Sequence, residues 1–340
     1  MGNKDLKIDF VLLWVDGNDS EWRKSFLEHL PESKQSDDVR DVRYRDWGLL
    51  PYWFRGVEQF APWVNKIHFI TCGHYPEWLN LAHPKLHFVR HEDYIPSEYL
   101  PTFNSNPIEL HLHRLDSLSE HFVLFNDDMF IIDKVDSKRF FHNGLPCDMA
   151  TFDIVASTCI ANNFAHTVLN NVTAINQRFK QRNVLRKDWS KWFRIEYGSY
   201  LLRTLALLPW PYFVGFRDPH LPNAYLKSTL NTVWSAYGEL LADTSTHKFR
   251  TQYDYNHWLF RYWQLATGQF NPINVYRSSV YYRINERTLP QIEQVILRQK
   301  KQILVLNDVE QNVRIPFDEC RQRILSVFQQ ILPEKSSFEK

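Results

Sequence analysis

The stretch IDFVLLWV at residues 8–15, followed at once by DGND at residues 16–19, decides the fold of this chain. The run is almost entirely apolar and rich in β-branched and aromatic residues, which is typical of a strand buried on both faces. Asp, Gly and Asn are residues that favour turns over strands. The sequence therefore predicts a buried strand with polar side chains just beyond its carboxyl end.

The same pattern recurs further along the chain, with helical stretches between the strands. Four more strands are predicted, at Lys66–Thr71, Lys85–Val89, Phe122–Phe125 and Ile303–Leu306. Helices are predicted at Trp47–Phe60, Asn106–Ser119, Leu289–Gln302 and Phe317–Leu332. This alternation predicts an α/β fold with a mostly parallel, Rossmann-like or GT-A-like sheet and helices on both faces. In such sheets ligands bind beyond the carboxyl ends of the strands.

The middle of the chain has a different composition. Residues 178–194 contain seven basic residues and one acid, and an aromatic and aliphatic stretch, 189–216, follows. We predict a helical insertion, 161–215, in an α/β catalytic core formed by 1–160 and 216–340. Two interpretations of the insertion stay open: contact with an anionic membrane surface, or a lid or acceptor-binding insertion without lipid contact.

Composition excludes several classes of protein. The 340 residues are 44% hydrophobic, which is too apolar for a disordered chain, and the net charge of +1 provides no field for nucleic acid. The four cysteines form no CxxC motif, as expected of reduced thiols in the cytoplasm. We find no leader pattern and no apolar run of 18 residues, so we expect a cytoplasmic protein. The aromatic content of 15% suits either stacking on sugars or a packed core.

Acidic residues follow three of the predicted strands. Asp127 and Asp128 follow the fourth strand, Asn307 and Asp308 the fifth, and the DGND turn the first. Nucleotide-sugar enzymes often use carboxylates in this position to hold a divalent cation, which neutralises the charge of the substrate's diphosphate. The alternative is a turn that caps the next helix.

Other candidate residues have weaker patterns. Glu109 and His113 are spaced i, i+4, as for a base with its orienting residue, a metal pair or an ordinary surface pair. His220 lies in a proline-bounded turn, where an imidazole can act as acid, base or phosphate donor. Arg250 and Arg261 offer planar forks for phosphate, although most arginines simply face solvent.

Through these residues and the motifs around them, the chain resembles the Stealth family of hexose-1-phosphate transferases. That family includes bacterial capsule and exopolysaccharide phosphotransferases and the animal N-acetylglucosamine-1-phosphotransferase of lysosomal enzymes. The matching blocks are 8–19, then Arg43-Tyr44-Arg45, 61–64, 67–71, 76–79, 91–93, 100–105, 108–114, 118–122 and 125–128, then Asp218-Pro219-His220 with Phe249-Arg250, and finally Leu306-Asn307-Asp308. The chain lacks the large inserted modules of the animal enzyme, which favours a bacterial polysaccharide enzyme.

The resemblance implies attack of an acceptor-glycan hydroxyl on the β-phosphorus of a UDP-hexose, with release of UMP and Mg²⁺ or Mn²⁺ as cofactor. Asp127, Asn307 and Asp308 would hold the cation. The proton would pass to Asp128, Glu109 or His220. His220 and Arg250 would stabilise the phosphoryl oxygens or the leaving UMP. The uridine side would rest on Trp14, Asp16, Gly17, Asn18 and Asp19.

The implied acceptor is a lipid-linked oligosaccharide or polysaccharide, which would place the protein at the inner face of the plasma membrane. Two other functions stay open at this stage. One is a metal-dependent glycosyltransferase that releases UDP. The other is a non-catalytic carbohydrate-binding protein that uses aromatic side chains as platforms.

Overall fold

A computed structural model describes residues 6–31, 45–157, 163–308 and 315–340 of the chain. The strands are β1 (Ile8–Leu13), β2 (Ile67–Thr71), β3 (Leu86–Arg90), β4 (His121–Asn126), β5 (Met129–Ile131), β6 (Phe141–His142), β7 (Leu145–Asp148), β8 (Asn223–Leu226), β9 (Asn271–Pro272), β10 (Ser279–Arg283) and β11 (Ile303–Asn307). The helices are α1 (Ser20–His29), α2 (Leu50–Phe60), α3 (Ser105–Leu110), α4 (Asn163–Arg178), α5 (Gln181–Lys187), α6 (Trp189–Trp192), α7 (Ser199–Ala206), α8 (Lys227–Thr246), α9 (Trp258–Thr267), α10 (Leu289–Arg298) and α11 (Phe317–Ile331).

A five-stranded sheet forms the centre of the molecule, in the order β3-β2-β1-β4-β8. The first four strands are parallel, and β8 pairs antiparallel with β4 at the edge. The order 3-2-1-4 matches the first four strands of a doubly wound sheet of order 3-2-1-4-5-6. The α/β fold with a mostly parallel sheet is therefore confirmed, and it is consistent with a GT-A-like architecture.

Both faces of the central sheet are covered, because side chains along each strand alternate between two cores. Phe10 and Leu12 pack in a core with residues of α2, α10 and α11. Val11 lies between them in sequence but packs in a second core with residues of α4, α8 and α9. All three side chains are fully buried, as the nearly continuous apolar run predicted.

A polar network lies inside this sheet at the start of β1. The Asp9 carboxylate is fully buried and accepts hydrogen bonds from the Asn65 amide (2.7 Å) and the Ser119 backbone N–H (2.8 Å). The same carboxylate lies 3.1 Å from His68 Nε2, and the other nitrogen of that ring lies 3.0 Å from His87 Nδ1. Burial opposes the negative charge of Asp9, but these hydrogen bonds outweigh it and lower its pKa.

The fifth predicted strand lies in a different sheet from the one expected. β11 pairs parallel with β10 and antiparallel with β5, in the order β10-β11-β5. β5 begins after a two-residue turn at the end of β4, so the chain passes directly from one sheet into the other. An apolar run such as 303–306 fits the interior of any sheet, and its pattern does not specify which strands it pairs with.

Two of the predicted helices end several residues earlier than their patterns suggested. The helix expected over Asn106–Ser119 ends at Leu110 and is followed by a 3-10 turn at Leu112–Arg114. Side chains of His113 and Trp234 bond the Leu110 carbonyl, at 3.2 and 2.8 Å, which satisfies that carbonyl outside a continuing helix. The helix expected over Leu289–Gln302 ends at Arg298, because Gln299 adopts a left-handed conformation with φ of 47°.

The predicted insertion is helical and comprises α4, α5, α6 and α7. Val168, Val172 and Ile175 of α4 are buried in the same core as residues of α8 and α9, so the insertion packs on the body of the protein. The division of the chain into core and insertion at 160 and 216 stays a prediction. Within the described ranges, none of the helices combines the length and apolar character that crossing a membrane requires.

Candidate active site

The loop after β1 forms one wall of the site. The Asp16 backbone N–H donates to His74 Nε2 (2.8 Å), and the Trp14 ring meets the His74 ring edge-on at 5.3 Å. Asp19 caps α1 by accepting a hydrogen bond from the Trp22 N–H (2.7 Å). The capping alternative therefore holds for Asp19. His74, which follows the neighbouring strand β2, fixes the loop against the sheet.

A cleft of about 490 Å³ opens beside this loop. Its wall includes Gly17 and Asn18 of the loop, residues of α1, and Arg45 and Asp46. A cleft of this volume lies within the range of small-ligand sites. The predicted nucleotide-binding residues Gly17 and Asn18 thus border an open recess at the carboxyl edge of the sheet.

The turn between β4 and β5 brings the predicted cation ligands toward one another. The Leu306 N–H donates to the Asp128 carbonyl (2.9 Å), and Val305 pairs with Met129 across the two strands. Continuing that antiparallel register by two residues sets Asn307 opposite Asp127. Asp308 follows directly, and its Oδ2 accepts a hydrogen bond from Trp47 Nε1 (3.1 Å).

Negative charge is concentrated at this turn. The Asp127 side chain reaches solvent, but the surrounding protein, together with the charges of Asp128 and Asp46, raises its pKa. One oxygen of Asp128, Oδ1, is buried and has no hydrogen-bond partner among the described residues. Asp46 also lines the cleft beside the β1 loop, so the acidic turn and the cleft adjoin.

The four predicted catalytic residues lie in one cluster. His220 Nε2 is 2.9 Å from Asp128 Oδ2. Although burial opposes its positive charge, this contact raises the pKa of His220. Glu109 exposes only 5% of its surface, and burial raises its pKa to about 7 against the opposing charge of Arg250. Arg250 in turn donates to the Ser105 hydroxyl (2.7 Å).

The i, i+4 pair of Glu109 and His113 that a continuous helix would allow does not form. Because α3 ends at Leu110, His113 lies beyond the helix and packs 5.2 Å from the Trp234 ring, with its Nδ1 at the Leu110 carbonyl. Glu109 instead faces Arg250 and His220, whose charges act on its pKa. Glu109 therefore lies in the cluster with Arg250 and His220, whereas His113 packs against Trp234.

Two family models match the chain, Stealth protein conserved region 1 over residues 6–25 and conserved region 2 over residues 43–148. The chain is 44% identical over 335 residues to the capsular polysaccharide phosphotransferase WcwK of Streptococcus pneumoniae, covering 98% of both chains. The chain belongs to the Stealth family. It is also 38% identical to the exopolysaccharide phosphotransferase cps2G of Lactiplantibacillus plantarum (98% of this chain, 96% of the relative). The receptor polysaccharide phosphotransferase WefC of Streptococcus gordonii is 37% identical (98% and 99%).

The two Stealth regions contain part of the candidate site. Region 1 contains the β1 loop with Trp14, and region 2 contains Glu109, Asp127 and Asp128. His220, Arg250, Asn307 and Asp308 lie outside both regions and join the site through the fold. Arg43 and Tyr44 of the family motif, residues 161–162 of the insertion, and Cys159 lie outside the described residues.

Three residues of the candidate site were not expected from the sequence. Asp46 and His74 adjoin the cleft and the β1 loop, and Asp254, four residues after Arg250, is fully buried. The Asp254 carboxylate accepts hydrogen bonds from Asn104, Asn106, His247 and Thr251. It thereby fastens the loop that carries Arg250 to the start of α3. His74 could have been predicted from its position, because it follows a strand that neighbours β1. Asp46 and Asp254 have no sequence pattern that would have predicted their place in the site.

Arg261 does not serve as the phosphate fork that its residue type suggested. Its side chain is 1% exposed and lies 2.7 Å from Asp148 and 2.9 Å from Asp218. The guanidinium is buried and donates to Asp148, Asp218 and the Met149 carbonyl. It holds Asp218, two residues before His220, against α9.

The oxygen ligands at the acidic turn fit a divalent cation by their chemistry. Asp127 and Asp308 supply carboxylates and Asn307 an amide oxygen, all of them hard donors. The surrounding protein and, in addition, the neighbouring carboxylates raise the pKa of Asp127, and Asp128 Oδ1 has no hydrogen-bond partner among the described residues, so a cation would be favourable at this turn. Across the described ranges, no three His, Cys, Asp or Glu side chains converge as a ready ligand set. Asp308 also lies 3.8 Å from Arg45.

Proposed function

We propose that the protein transfers hexose-1-phosphate or N-acetylhexosamine-1-phosphate from a UDP-sugar to a hydroxyl of an acceptor glycan in capsule or exopolysaccharide synthesis. The observation that carries this proposal is the cluster of Asp128, His220, Glu109 and Arg250 beside an acidic strand end. The full-length relatives are named as polysaccharide phosphotransferases, which supports phosphoryl rather than glycosyl transfer.

The proposed reaction is a displacement at phosphorus. The acceptor oxygen forms a bond to the β-phosphorus of the UDP-sugar, and the bond from that phosphorus to the oxygen bridging the α-phosphate breaks. UMP leaves with that oxygen, and a sugar–phosphate–sugar diester remains. Such reactions require an aligned nucleophile and stabilisation of the charge that spreads over the phosphoryl oxygens.

Arg250 and His220 supply positive charge for the phosphoryl oxygens. The Ser105 hydroxyl positions the Arg250 guanidinium (2.7 Å), and Asp128 orients the imidazole of His220 (2.9 Å). Because Asp128 raises the pKa of His220, the imidazole carries more positive charge near neutral pH than an isolated histidine does.

Glu109 is our choice for the group that accepts the proton of the acceptor hydroxyl. Its Oε2 is buried and has no hydrogen-bond partner among the described residues, and a pKa of about 7 is suited to a general base at neutral pH. Asp128, the other carboxylate considered, already bonds His220 through Oδ2. We therefore assign Glu109 as the base and Asp128 as the residue that orients His220.

A bound Mg²⁺ or Mn²⁺ would neutralise the charge of the diphosphate. Asp127, Asn307 and Asp308 are the residues proposed to hold it, with Asp46 as a nearby further acid. The uridine would lie along the β1 loop, where Asp16, Gly17, Asn18 and Asp19 offer backbone and side-chain polar groups and Trp14 offers an aromatic face.

We further propose that the reaction takes place on the cytoplasmic side, at the inner face of the plasma membrane, with a lipid-linked oligosaccharide or polysaccharide as acceptor. Cys72, Cys147 and Cys320 are free thiols, in keeping with a reducing compartment.

The nucleotide product tests the proposal directly. Purified protein is incubated with Mg²⁺, lipid-linked glycan and, in turn, UDP-glucose, UDP-galactose and their N-acetyl forms, and the nucleotides are separated. We expect UMP with one of these donors, and loss of UMP with EDTA. His220→Ala should lower its formation by several orders of magnitude, while the exposed His142→Ala should not.

Two other outcomes would replace the proposal. Release of UDP in place of UMP would identify a glycosyltransferase, which the GT-A-like fold also accommodates. Saturable binding of glycan without turnover of any of these donors would leave a carbohydrate-binding protein.

A further inference from the structure

Large apolar side chains are exposed along one part of the helical insertion. Ile195 exposes 92% of its surface and Leu202 68%. Trp189, Leu205, Trp210 and Tyr212 are also exposed. Water contact with this many large apolar groups in one short stretch, 189–212, is unfavourable for a protein that stays in solution, and such patches mark interaction sites.

α7 is fixed to the protein by one side and presents the other to solvent. Thr204 is fully buried and its hydroxyl accepts a hydrogen bond from the Phe152 N–H (3.1 Å). Tyr200 stacks on Tyr276 with ring centroids 5.1 Å apart. Leu202 and Leu205, three residues apart, share the exposed side. The exposure of these leucines is thus a fixed property of the docked helix.

Basic side chains adjoin this apolar surface. Arg182 and Arg186 are exposed and lie one turn apart on α5, and Lys187 follows them. Trp189 comes two residues later, so the positive charge and the exposed apolar groups are continuous along the chain. Tryptophan, tyrosine and aliphatic residues beside arginine and lysine are the combination found at the interface of anionic membranes.

The apolar surface is connected to the active site through Asp153. This carboxylate binds Arg203 of α7 (2.7 Å) and Arg217 (3.0 Å), three residues before His220. A surface that docks through α7 is therefore held in a fixed relation to the loop that carries the site's histidine.

We propose that residues 189–212, with Arg182, Arg186 and Lys187 of α5, form a docking surface for an anionic phospholipid bilayer. The leucines, isoleucine and aromatic rings enter the headgroup region, and the basic groups bind lipid phosphates. The inference rests on the proposed function only in giving the enzyme access to a lipid-linked acceptor. Its test requires no catalysis.

The full-length protein is sedimented with vesicles of phosphatidylcholine containing about 30% phosphatidylglycerol, and with pure phosphatidylcholine, at about 0.15 M salt. We expect binding to the anionic vesicles. The double variant Leu202→Glu/Leu205→Glu should lower the partition coefficient at least about tenfold. Arg182→Ala and Arg186→Ala should lower it about fivefold each. Leu297→Glu, at an exposed leucine of α10, is the matched control and should bind as the wild type does.

Three results would overturn the proposal. One is no sedimentation with anionic vesicles, and another is equal sedimentation of the Leu202→Glu/Leu205→Glu variant. The third is that the wild type does not bind vesicles but forms a dimer in size-exclusion chromatography, and that the Leu202→Glu/Leu205→Glu variant is a monomer. The surface would then be an interface between two copies of the chain. UMP release with a water-soluble glycan acceptor tests the proposed function separately, since failure there leaves the vesicle result unaffected.

Discussion

Substitution of Glu109 by Gln tests the assignment of the base. Glutamine has nearly the same size, so it should fit the buried position, but it cannot accept the acceptor's proton. The glutamate is 5% exposed, and burial raises its pKa to about 7, with Arg250 opposing the rise. Because this pKa lies near neutrality, the protonation state of Glu109 changes over the pH range in which the enzyme can be assayed.

The size of the effect follows from that pKa. With a pKa of about 7, roughly one Glu109 side chain in ten is ionised at pH 6 and roughly nine in ten at pH 8. If the ionised form is the base, kcat/KM of the wild type should fall about tenfold per pH unit below 7. Removing the base should lower kcat/KM by about 10² to 10⁴ and abolish this acidic limb.

The assay is initial-rate UMP release between about pH 5.5 and 9, for the wild type, Glu109→Gln and the exposed control Glu98→Gln. Asp127 also has a raised pKa, so it could produce a similar limb. The Mg²⁺ concentration separates the two groups. A limb due to Asp127 should move to lower pH as Mg²⁺ increases, because a cation favours the ionised carboxylate, whereas a limb due to Glu109 should stay in place.

The reasoning is refuted if Glu109→Gln keeps the acidic limb and retains kcat/KM within about threefold, a loss far smaller than removal of a general base produces. The proton acceptor would then be Asp128 or His220, and Glu109 would serve only to balance the charge of Arg250.

Three further predictions concern polar residues that hold the central sheet or the loops of the site. Asp9→Asn should lower the free energy of unfolding by about 3 kcal/mol at pH 7, as measured by urea titration. Because folding lowers the pKa of Asp9, this difference in stability between the wild type and the variant should persist above pH 5 and shrink as the pH falls below about 4. Asp254→Ala should lower kcat/KM about 10- to 100-fold by releasing the loop of Arg250. Because this effect acts through Arg250, the double variant Asp254→Ala/Arg250→Ala should lose little more activity than Arg250→Ala alone. His74→Ala should raise the KM for the UDP-sugar about fivefold with kcat nearly unchanged, since it removes the acceptor of the Asp16 N–H.

Exposed residues of the same type provide the controls. Asp116→Asn and Asp243→Asn should leave stability and kcat/KM within experimental error of the wild type, and His142→Ala should leave the KM for the donor unchanged. A stability difference for Asp9→Asn that grows as the pH falls would contradict the sign argued for its pKa. Additive losses for Asp254→Ala and Arg250→Ala would indicate that the two residues act independently.

The central sheet could be predicted because its strands carry their own signal. An apolar run such as 8–15, ended by turn-forming residues, specifies a buried strand wherever it lies in the chain. The partners of a strand are a different matter. The run at 303–306 is equally apolar, but its place beside β5 depends on the turn at Asp127 and Asp128, which leads the chain out of the central sheet.

Buried polar groups were the main part of the site that the sequence could not predict. Asp254 has no distinctive neighbours in sequence, and two of its partners, Asn104 and Asn106, lie about 150 positions away. Arg261 is identical in type to many solvent-facing arginines, and only the fold reveals that it is enclosed by Asp148 and Asp218. Such contacts are specified by tertiary packing, whereas sequence patterns report local conformation.

These enclosed networks explain how an active site with unfavourable charge is held in place. Ionised Glu109 is disfavoured by its own burial, so the site contributes little to stability and would relax if its loops were free. Buried polar networks hold these loops in place. Asp254 fastens the loop of Arg250, and Arg261 fastens Asp218 next to His220, each through a charged group that is itself buried and bonded to several partners. Breaking either network should therefore disturb the geometry of the site, because these contacts hold the loops that carry Arg250 and His220.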